Sequence, residues 1–359
     1  MAQENKNNEM EETLSEDYSC PSCGAPIKFD PNTSTLECSY CGFKQVISGE
    51  TSSEEYDLEN ASEDDSWGDE AKVVKCENCS AKNVIDKNSI TSTCPFCGSN
   101  QVVDTDELSG IKPQRVIPFK LNEGDASTKY HTWVKKRFFT PSKIKKAKIE
   151  TTISGVYLPI WTFDTNTLSH YNGRLGKHYT TTVGSGKNRR TVTRTRWFRI
   201  SGVHQKNIDD ILICSGNKLK QNQLDQISPF DTNNSYVFDN RFLAGHSAEH
   251  YEMSVQDGWK SAQVIINKQI RNEILRKYNY DVIDYLDFTP VYTNIKYKYV
   301  ILPVWLSNFT YKNKKYHYLV NGETGKISGN YPISIWKVLI TVFICLAFLI
   351  GILLFFMYA

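Results

Sequence analysis

The last stretch of the chain, Val338 to Met357, carries no charged residue and only one weakly polar hydroxyl, Thr341. At about 1.5 Å per residue, a helix of this length just crosses the roughly 30 Å hydrocarbon core of a bilayer. With its flank included, 335–357 reads as one transmembrane helix, since a buried core helix is usually shorter and keeps a polar face. Lys312, Lys314, Lys315, Lys326 and Lys337 precede it, and only Tyr358 and Ala359 follow it. The excess of positive charge on one side predicts a tail-anchored, single-pass protein of the cell membrane with its N-terminal body in the cytoplasm.

That compartment governs the cysteines, because reduced thiols in regular pairs hold metal more often than they form disulfides. Cys20-Pro-Ser-Cys23 is followed after fourteen residues by Cys38-Ser-Tyr-Cys41. The unit recurs as Cys76-Glu-Asn-Cys79 and Cys94-Pro-Phe-Cys97, again fourteen residues apart. Gly24, Gly42 and Gly98 follow three of the pairs, where a knuckle needs positive φ, and Ser80 stands in the fourth place. Four thiolates leave no open position, so each unit predicts one structural Zn2+, two per chain, with iron and disulfides as the lesser alternatives. Ile27–Asp30 and Thr35–Glu37 around Asp30-Pro31-Asn32 predict a hairpin in the first unit; Val84-Ile85 and Ile90-Thr91 are the strands predicted in the second. Cys214 and Cys345 have no partner motif and read as a core residue and a residue of the terminal span.

Charge divides the chain further. The net charge is only +2, yet Glu50 to Glu70 holds ten acidic residues and no lysine or arginine. Such a segment has too few apolar residues to offset its ordering entropy and predicts a flexible tether. The expected order is therefore a disordered acidic N-terminus (1–17), zinc ribbon 1 (18–47), an acidic flexible linker (48–71), zinc ribbon 2 (72–104), an α+β body (111–332) and the transmembrane helix (335–357). The ribbons' small cores are expected to be separate from the body's, and metal to supply most of their folding free energy.

Within the body, Val116–Phe119 predicts a strand. Asn122 predicts the start of a helix with Ala126, Tyr130, Trp133, Val134 and Phe138 on one face, ended by Pro141. Gly155–Trp161 and Tyr299–Trp305 share Leu-Pro-(β-branched)-Trp, which predicts two equivalent strands with a proline where no ladder donor is needed. His178 to Arg199 reads as a polar hairpin, Ser254 as the cap of a long helix reaching Tyr278, and Phe309 to Ser328 as a three-stranded meander.

The paired ribbons, Ile117-Pro-Phe-Lys120, Trp133 to Pro141, Val156-Tyr-Leu-Pro-Ile-Trp161, Asp239 to Gly245, Leu302-Pro-Val-Trp305 and Val320 to Gly325 before a terminal span resemble one bacterial family. It is that of the membrane-anchored TFIIB-type zinc-ribbon proteins, often labelled replication restart or primosomal helicase-like from the zinc region alone. In some bacteria such proteins are encoded beside phage-shock protein A, so the resemblance implies recruitment of membrane-associated partners.

The helicase label finds no support in the residues. Gly176-Lys177, Gly186-Lys187 and Gly325-Lys326 all lack the upstream glycine and the following Ser/Thr of a phosphate-binding loop. His246-Ser-Ala-Glu249-His250 matches a metallopeptidase pattern formally, but it follows Gly245 with no third acidic ligand in context, so the histidines read as surface or capping residues. No catalytic residues, and no enzyme, are expected. Two basic runs remain: Lys135, Lys136 and Arg137, with Lys143, Lys145, Lys146 and Lys148 after them, and Lys187, Arg189, Arg190, Arg194, Arg196 and Arg199. They suit a solvated face, anionic lipid, an acidic protein partner or nucleic-acid phosphates. A tethered body meets the bilayer constantly, so lipid or an acidic partner is favoured. The expected function is a noncatalytic membrane scaffold for cytoplasmic or membrane-associated proteins; the alternative is a membrane-tethered nucleic-acid binder.

Overall fold

A computed structural model describes residues 20–25, 27–47, 49–61, 71–86, 94, 96, 99, 102–104, 110–146, 152–312 and 314–358. The acidic N-terminus, residues 62–70 of the acidic segment, the strand expected at Ile90-Thr91, Cys97, Gly98 and Lys148 lie outside them.

A small antiparallel sheet comes first, from β1 (Lys28–Asp30), β2 (Thr35–Glu37) and β3 (Lys44–Val46). The turn between β1 and β2 closes as expected, with Asp30 accepting from the Asn32 N–H and the Thr33 hydroxyl, both at 3.0 Å. Next come β4 (Tyr56–Asp57), β5 (Ala71–Cys76), β6 (Lys82–Asp86), β7 (Val102–Asp104) and β8 (Arg115–Val116). Helices α1 (Glu123–Lys135) and α2 (Ser142–Lys146) follow.

The spine of the molecule is a ladder of three strands: β9 (Thr152–Val183), β10 (Arg190–Cys214) and, after α3 (Gln221–Ile227), β11 (Tyr236–Val237), β12 (Ser247–Glu249) and α4 (Val255–Arg276), β13 (Val282–Tyr311). β9 lies in the middle, antiparallel to both long neighbours. β14 (Lys314–Asn321) and β15 (Ile327–Gly329) complete the expected meander before α5 (Ile335–Tyr358). The described strands from β4 onward form one twelve-stranded sheet, and the chain is a mixed α+β protein.

The two Leu-Pro-(β-branched)-Trp strands are equivalent and are also paired to each other. Leu158 lies opposite Leu302 in the β9–β13 ladder, so the two copies run antiparallel about that point. Each proline sits where one neighbouring strand gives way to another. β10 ends opposite Ile160 and β12 takes over at Tyr157, on either side of Pro159. β14 ends opposite Val304 and β8 takes over at Ile301, on either side of Pro303. A residue without an N–H fits such a gap in the ladder.

The helices follow the same duplication. Asn122 caps α1 by accepting from Asp125 N at 2.8 Å, and Ser254 caps α4 by accepting from Asp257 N at 3.2 Å. The residue before each cap accepts an indole N–H from the other copy's strand: Trp305 donates to Leu121 O at 3.0 Å and Trp161 to Met253 O at 2.9 Å. Ala126, Tyr130 and Val134 are buried under α1 as expected, but Phe138 lies beyond the helix end and is 66% exposed. The α4 stripe is buried throughout.

Three expectations need correction. The long strands run far beyond the short segments expected, because Thr162 to Gly176 mixes polar and apolar residues without clean alternation. The first half of the acidic segment is packed and paired: β4 pairs with β13, Thr51 bridges Tyr236, and buried Arg115 donates to the Ser52 hydroxyl at 2.8 Å. The cysteine units are not separate from the body either. Phe29 and Leu36 belong to the main core, Phe29 N–H donates to Ala244 O at 3.0 Å, and β6 pairs with β12.

Candidate metal centres and basic surfaces

The first centre is built by two turns of the same construction. Gly24 N–H donates to Cys20 O and Gly42 N–H to Cys38 O, with φ of +70° and +76°, a region where L residues are strained. These turns bring together the sulfurs of Cys20, Cys23, Cys38 and Cys41, all within 4.8 Å of one another. The Cys20–Cys41 and Cys23–Cys38 Sγ distances are 3.4 and 3.6 Å. A tetrahedral ion with bonds of about 2.3 Å needs sulfurs roughly 3.8 Å apart, whereas a disulfide needs about 2.05 Å. All four are free thiols, and a bound metal would take them as thiolates.

The second centre repeats the turn at Cys76, where Ser80 N–H donates to Cys76 O with Ser80 at φ +58°. Cys76, Cys79 and Cys94 group within the same 4.8 Å, with 3.7 Å between the Cys79 and Cys94 sulfurs. Cys97, the expected fourth ligand, lies outside the described residues. Both groups can hold a metal ion, and the donor set fits one that prefers thiolate. The second is fastened to the body, since the Lys218 ammonium donates to Cys79 O and Phe96 packs against both this cluster and the sheet.

His246 and His250 are not on a helix. They flank β12, with Glu249 as its last residue. His246 is stacked on Phe119 at 4.3 Å with Tyr157 and Trp305 around it, and burial lowers its pKa to about 4. Glu249 is buried and accepts the N–H groups of Asn217 and Lys218, and burial raises its pKa to about 7. The reading of these histidines as surface or capping groups is thus corrected for His246: the Gly245 turn delivers it into the aromatic core.

One buried ionic cluster escaped sequence reasoning. Lys298 is only 1% exposed and meets Asp210 at 3.1 Å and Glu55 at 3.4 Å. Asp164 joins them by accepting Asp210 N–H at 2.7 Å, and burial, with a hydrogen bond to Glu55, raises its pKa to about 8. The register of both flanking strands shifts here, between Ile208 and Ile211 and between Thr293 and Lys296, so two bulges turn the charges inward. Among the clues in the sequence, only the acidic residue in an apolar strand at Phe163-Asp164 pointed to it.

The two basic runs are brought to opposite ends of the long sheet. Lys135, Lys136 and Arg137 end α1, beside the start of α5, and all are exposed. Arg189, Arg190, Arg194 and Arg196 lie on the β9–β10 hairpin past Gly176, where β13 stops pairing, whereas Arg199 lies opposite Arg174, where β13 is still paired; the Lys187 side chain lies outside the described residues. No described side chain from Lys177 to Arg199 is buried. Arg194 is directly opposite Tyr179 and Arg196 opposite Lys177, so alternation places Arg190, Arg194, Arg196, Lys177 and Tyr179 on one face. On the other face Arg174 covers Trp197 at 5.2 Å.

Among the described residues, α5 alone is long and apolar enough to cross a membrane, and none of Ile335–Met357 is buried by the body.

No family model matches the chain. No solved structure matches it. Over 325 residues, covering 89% of this chain and 91% of the relative, it is 30% identical to the uncharacterized protein YdjG of Bacillus subtilis (strain 168). Similarity of that extent covers most of both chains, and the chain belongs to the same family as Bacillus subtilis YdjG.

Proposed function

We propose that this is a noncatalytic, tail-anchored membrane scaffold of the TFIIB-type zinc-ribbon kind. Its two zinc ribbons are structural, and it presents a basic arm to a cytoplasmic or membrane-associated partner with an acidic surface. The observation that carries this reading is the placement of two features on one ladder. The uncovered apolar helix leaves from the end of the sheet where β13 passes into the meander, and the basic hairpin is the other end of β9. At about 3.3 Å per residue, the path along a strand of this length is roughly 100 Å. An arm of that reach is suited to holding a partner off the bilayer, so the hairpin's lysine and arginines fit an acidic protein better than the headgroups beneath the anchor. The positive charges that precede the span support a body in the cytoplasm.

The ribbons act as rigid clamps in this reading. With four sulfurs per ion there is no position for substrate, and their hydrogen bonds to Ala244 and β12 tie metal binding to the body.

A membrane-tethered nucleic-acid binder is the second reading. It is favoured by one observation: Tyr179 shares a face with Arg190, Arg194 and Arg196, with the Arg196 guanidinium 5.9 Å from its ring, as in a stacking platform for single strands. Affinity capture from detergent-solubilised cells, with the intact protein and with the arginines of the hairpin changed to alanine, tests the proposal. An acidic protein lost with the arginines supports it; nucleic acid as the sole arginine-dependent ligand overturns it.

A further inference from the structure

The foot of α5 carries a second feature. Ser334 N–H donates to Phe139 O at 2.8 Å, and the Lys337 ammonium donates to Phe138 O at 3.2 Å and Thr140 O at 2.7 Å. The turn after α1 is therefore strapped to the first residues of the span. Phe138, whose carbonyl is part of the strap, and Trp336, next to Lys337, are 66% and 77% exposed, as aromatic residues are at the level of lipid headgroups.

Beside the strap is a shallow, open groove of about 430 Å³ lined by Lys314, Tyr316, Gly329, Asn330, Tyr331 and Ile333. The Arg137 guanidinium lies 5.3 Å from the Tyr331 ring and 4.6 Å from the Trp133 ring, which fixes a second cation at the rim. Lys136, Arg137, Lys143 and Lys314 are exposed and have no acidic partner among the described residues. A groove with unpaired cations, two phenols and an amide can bind a phosphate diester, and Ile333, two residues before the span, offers an apolar exit for acyl chains.

We propose that this groove is a headgroup site for an anionic phospholipid of the bilayer that α5 enters, which fixes the tilt of the arm above the membrane. The proposal rests on the membrane-anchor reading and assigns to lipid the α1 end of the basic residues only. A lipid is favoured over a free phosphate compound because the strap holds the groove at headgroup depth, continuous with the span.

The test uses the full-length protein. It is reconstituted into vesicles of phosphatidylcholine, floated, and then reconstituted with equal parts phosphatidylcholine and phosphatidylglycerol; the lipids retained after mild detergent extraction are counted by native mass spectrometry. One phosphatidylglycerol should be retained over phosphatidylcholine by about tenfold or more. The R137Q/K314Q variant should float equally well and lose that preference, and R137K/K314R should keep it. Arginine changes in the distal hairpin should leave it unaltered. Equal retention of both lipids, a preference that survives R137Q/K314Q, or one abolished from the hairpin overturns the headgroup site. Failure to float with neutral vesicles instead overturns the anchor reading, and the site with it.

Discussion

Trp161 and Trp305 make the same hydrogen bond in opposite halves of the molecule. Each indole donates to the carbonyl of the residue that precedes a helix cap, Met253 for Trp161 and Leu121 for Trp305. The ring contacts follow suit: Trp305 lies 4.9 Å from Phe119 and Trp161 5.1 Å from Tyr251. The interval from Leu121 to Met253 is also that from Phe119 to Tyr251 and from Asn122 to Ser254. A duplicated strand–helix–strand unit has therefore exchanged its strands, so that each half's helix is pinned by the other half's tryptophan.

The first prediction follows from that equivalence. Trp161→Phe and Trp305→Phe should each lower stability by a similar amount, about 1–3 kcal/mol, since a partly buried carbonyl loses its donor while most of the ring packing stays. Thermal unfolding of both variants checks this. A cost confined to one of them would mean that the two halves are not energetically equivalent.

The second concerns metal. Elemental analysis of the reduced protein should give two zinc ions per chain, and Cys97→Ser should lose one ion as fully as Cys76→Ser does. Chelation should also lower the melting temperature of the body, because Phe29 and Leu36 lie in its core and β6 is paired into its sheet. An unchanged body transition after complete zinc removal would contradict the shared core.

Ser80 supplies the third. Its φ of +58° is one that glycine adopts freely and serine does not, and Gly24 and Gly42 hold the equivalent places in the first unit. Ser80→Gly should stabilise the second centre by about 1 kcal/mol, read as a higher chelator concentration at half-loss of that ion. Weaker retention would show that the serine hydroxyl matters more than backbone strain.

Part of this architecture was legible in the residues, and the rest was hidden for physical reasons. Cysteine spacing, helix caps at Asn122 and Ser254, and the repeated Leu-Pro-(β-branched)-Trp are local signals: the structure gathers the seven described ribbon cysteines into two groups and places the caps and the paired strands as expected. The packing of Thr51 to Asn60 was not legible, because its acidic composition reads as solvated. What orders it is Arg115 and Lys298, basic residues distant in sequence and buried under it. The length of β9 was obscured in a similar way: its polar middle, around Asp164, faces charges supplied by other strands.

That cluster gives the fourth prediction. Burial and Glu55 raise the folded pKa of Asp164 from 3.8 to about 8, so the native state holds a proton there that the unfolded chain has released. The contribution is fully present below pH about 3.8 and is lost as pH rises through about 8. Asp164→Asn keeps a neutral side chain that can accept from Asp210 and donate to Glu55. It should raise stability at pH 8 relative to the parent and have little effect near pH 4, measured as the difference in denaturant midpoint across that range. A larger gain at pH 4 than at pH 8 would reverse the assigned sign.

The last prediction separates an acidic protein partner from nucleic acid at the distal hairpin. Both would lose affinity when Arg190, Arg194 and Arg196 become alanine, and both would weaken in salt, because either way cations meet anions. The face they share also holds Tyr179, opposite Arg194 and 43% exposed, and this residue discriminates. A base stacked on that ring contributes roughly 1–3 kcal/mol, so Tyr179→Ala should cost a single-strand binder about five- to a hundredfold in affinity. Carboxylates of an acidic protein gain little from the ring, so the scaffold reading predicts a change of under about threefold. Phosphate contacts would also make log K fall with log salt by about 0.7 per contact on single strands. With full-length protein in neutral vesicles, we expect poly-glutamate to bind through the arginines without dependence on Tyr179, and single-stranded DNA to bind only weakly at about 0.15 M salt. Submicromolar DNA binding at that salt, lost with Tyr179→Ala, would replace the scaffold by the nucleic-acid reading, because only a stacked base uses the ring and the arginines together.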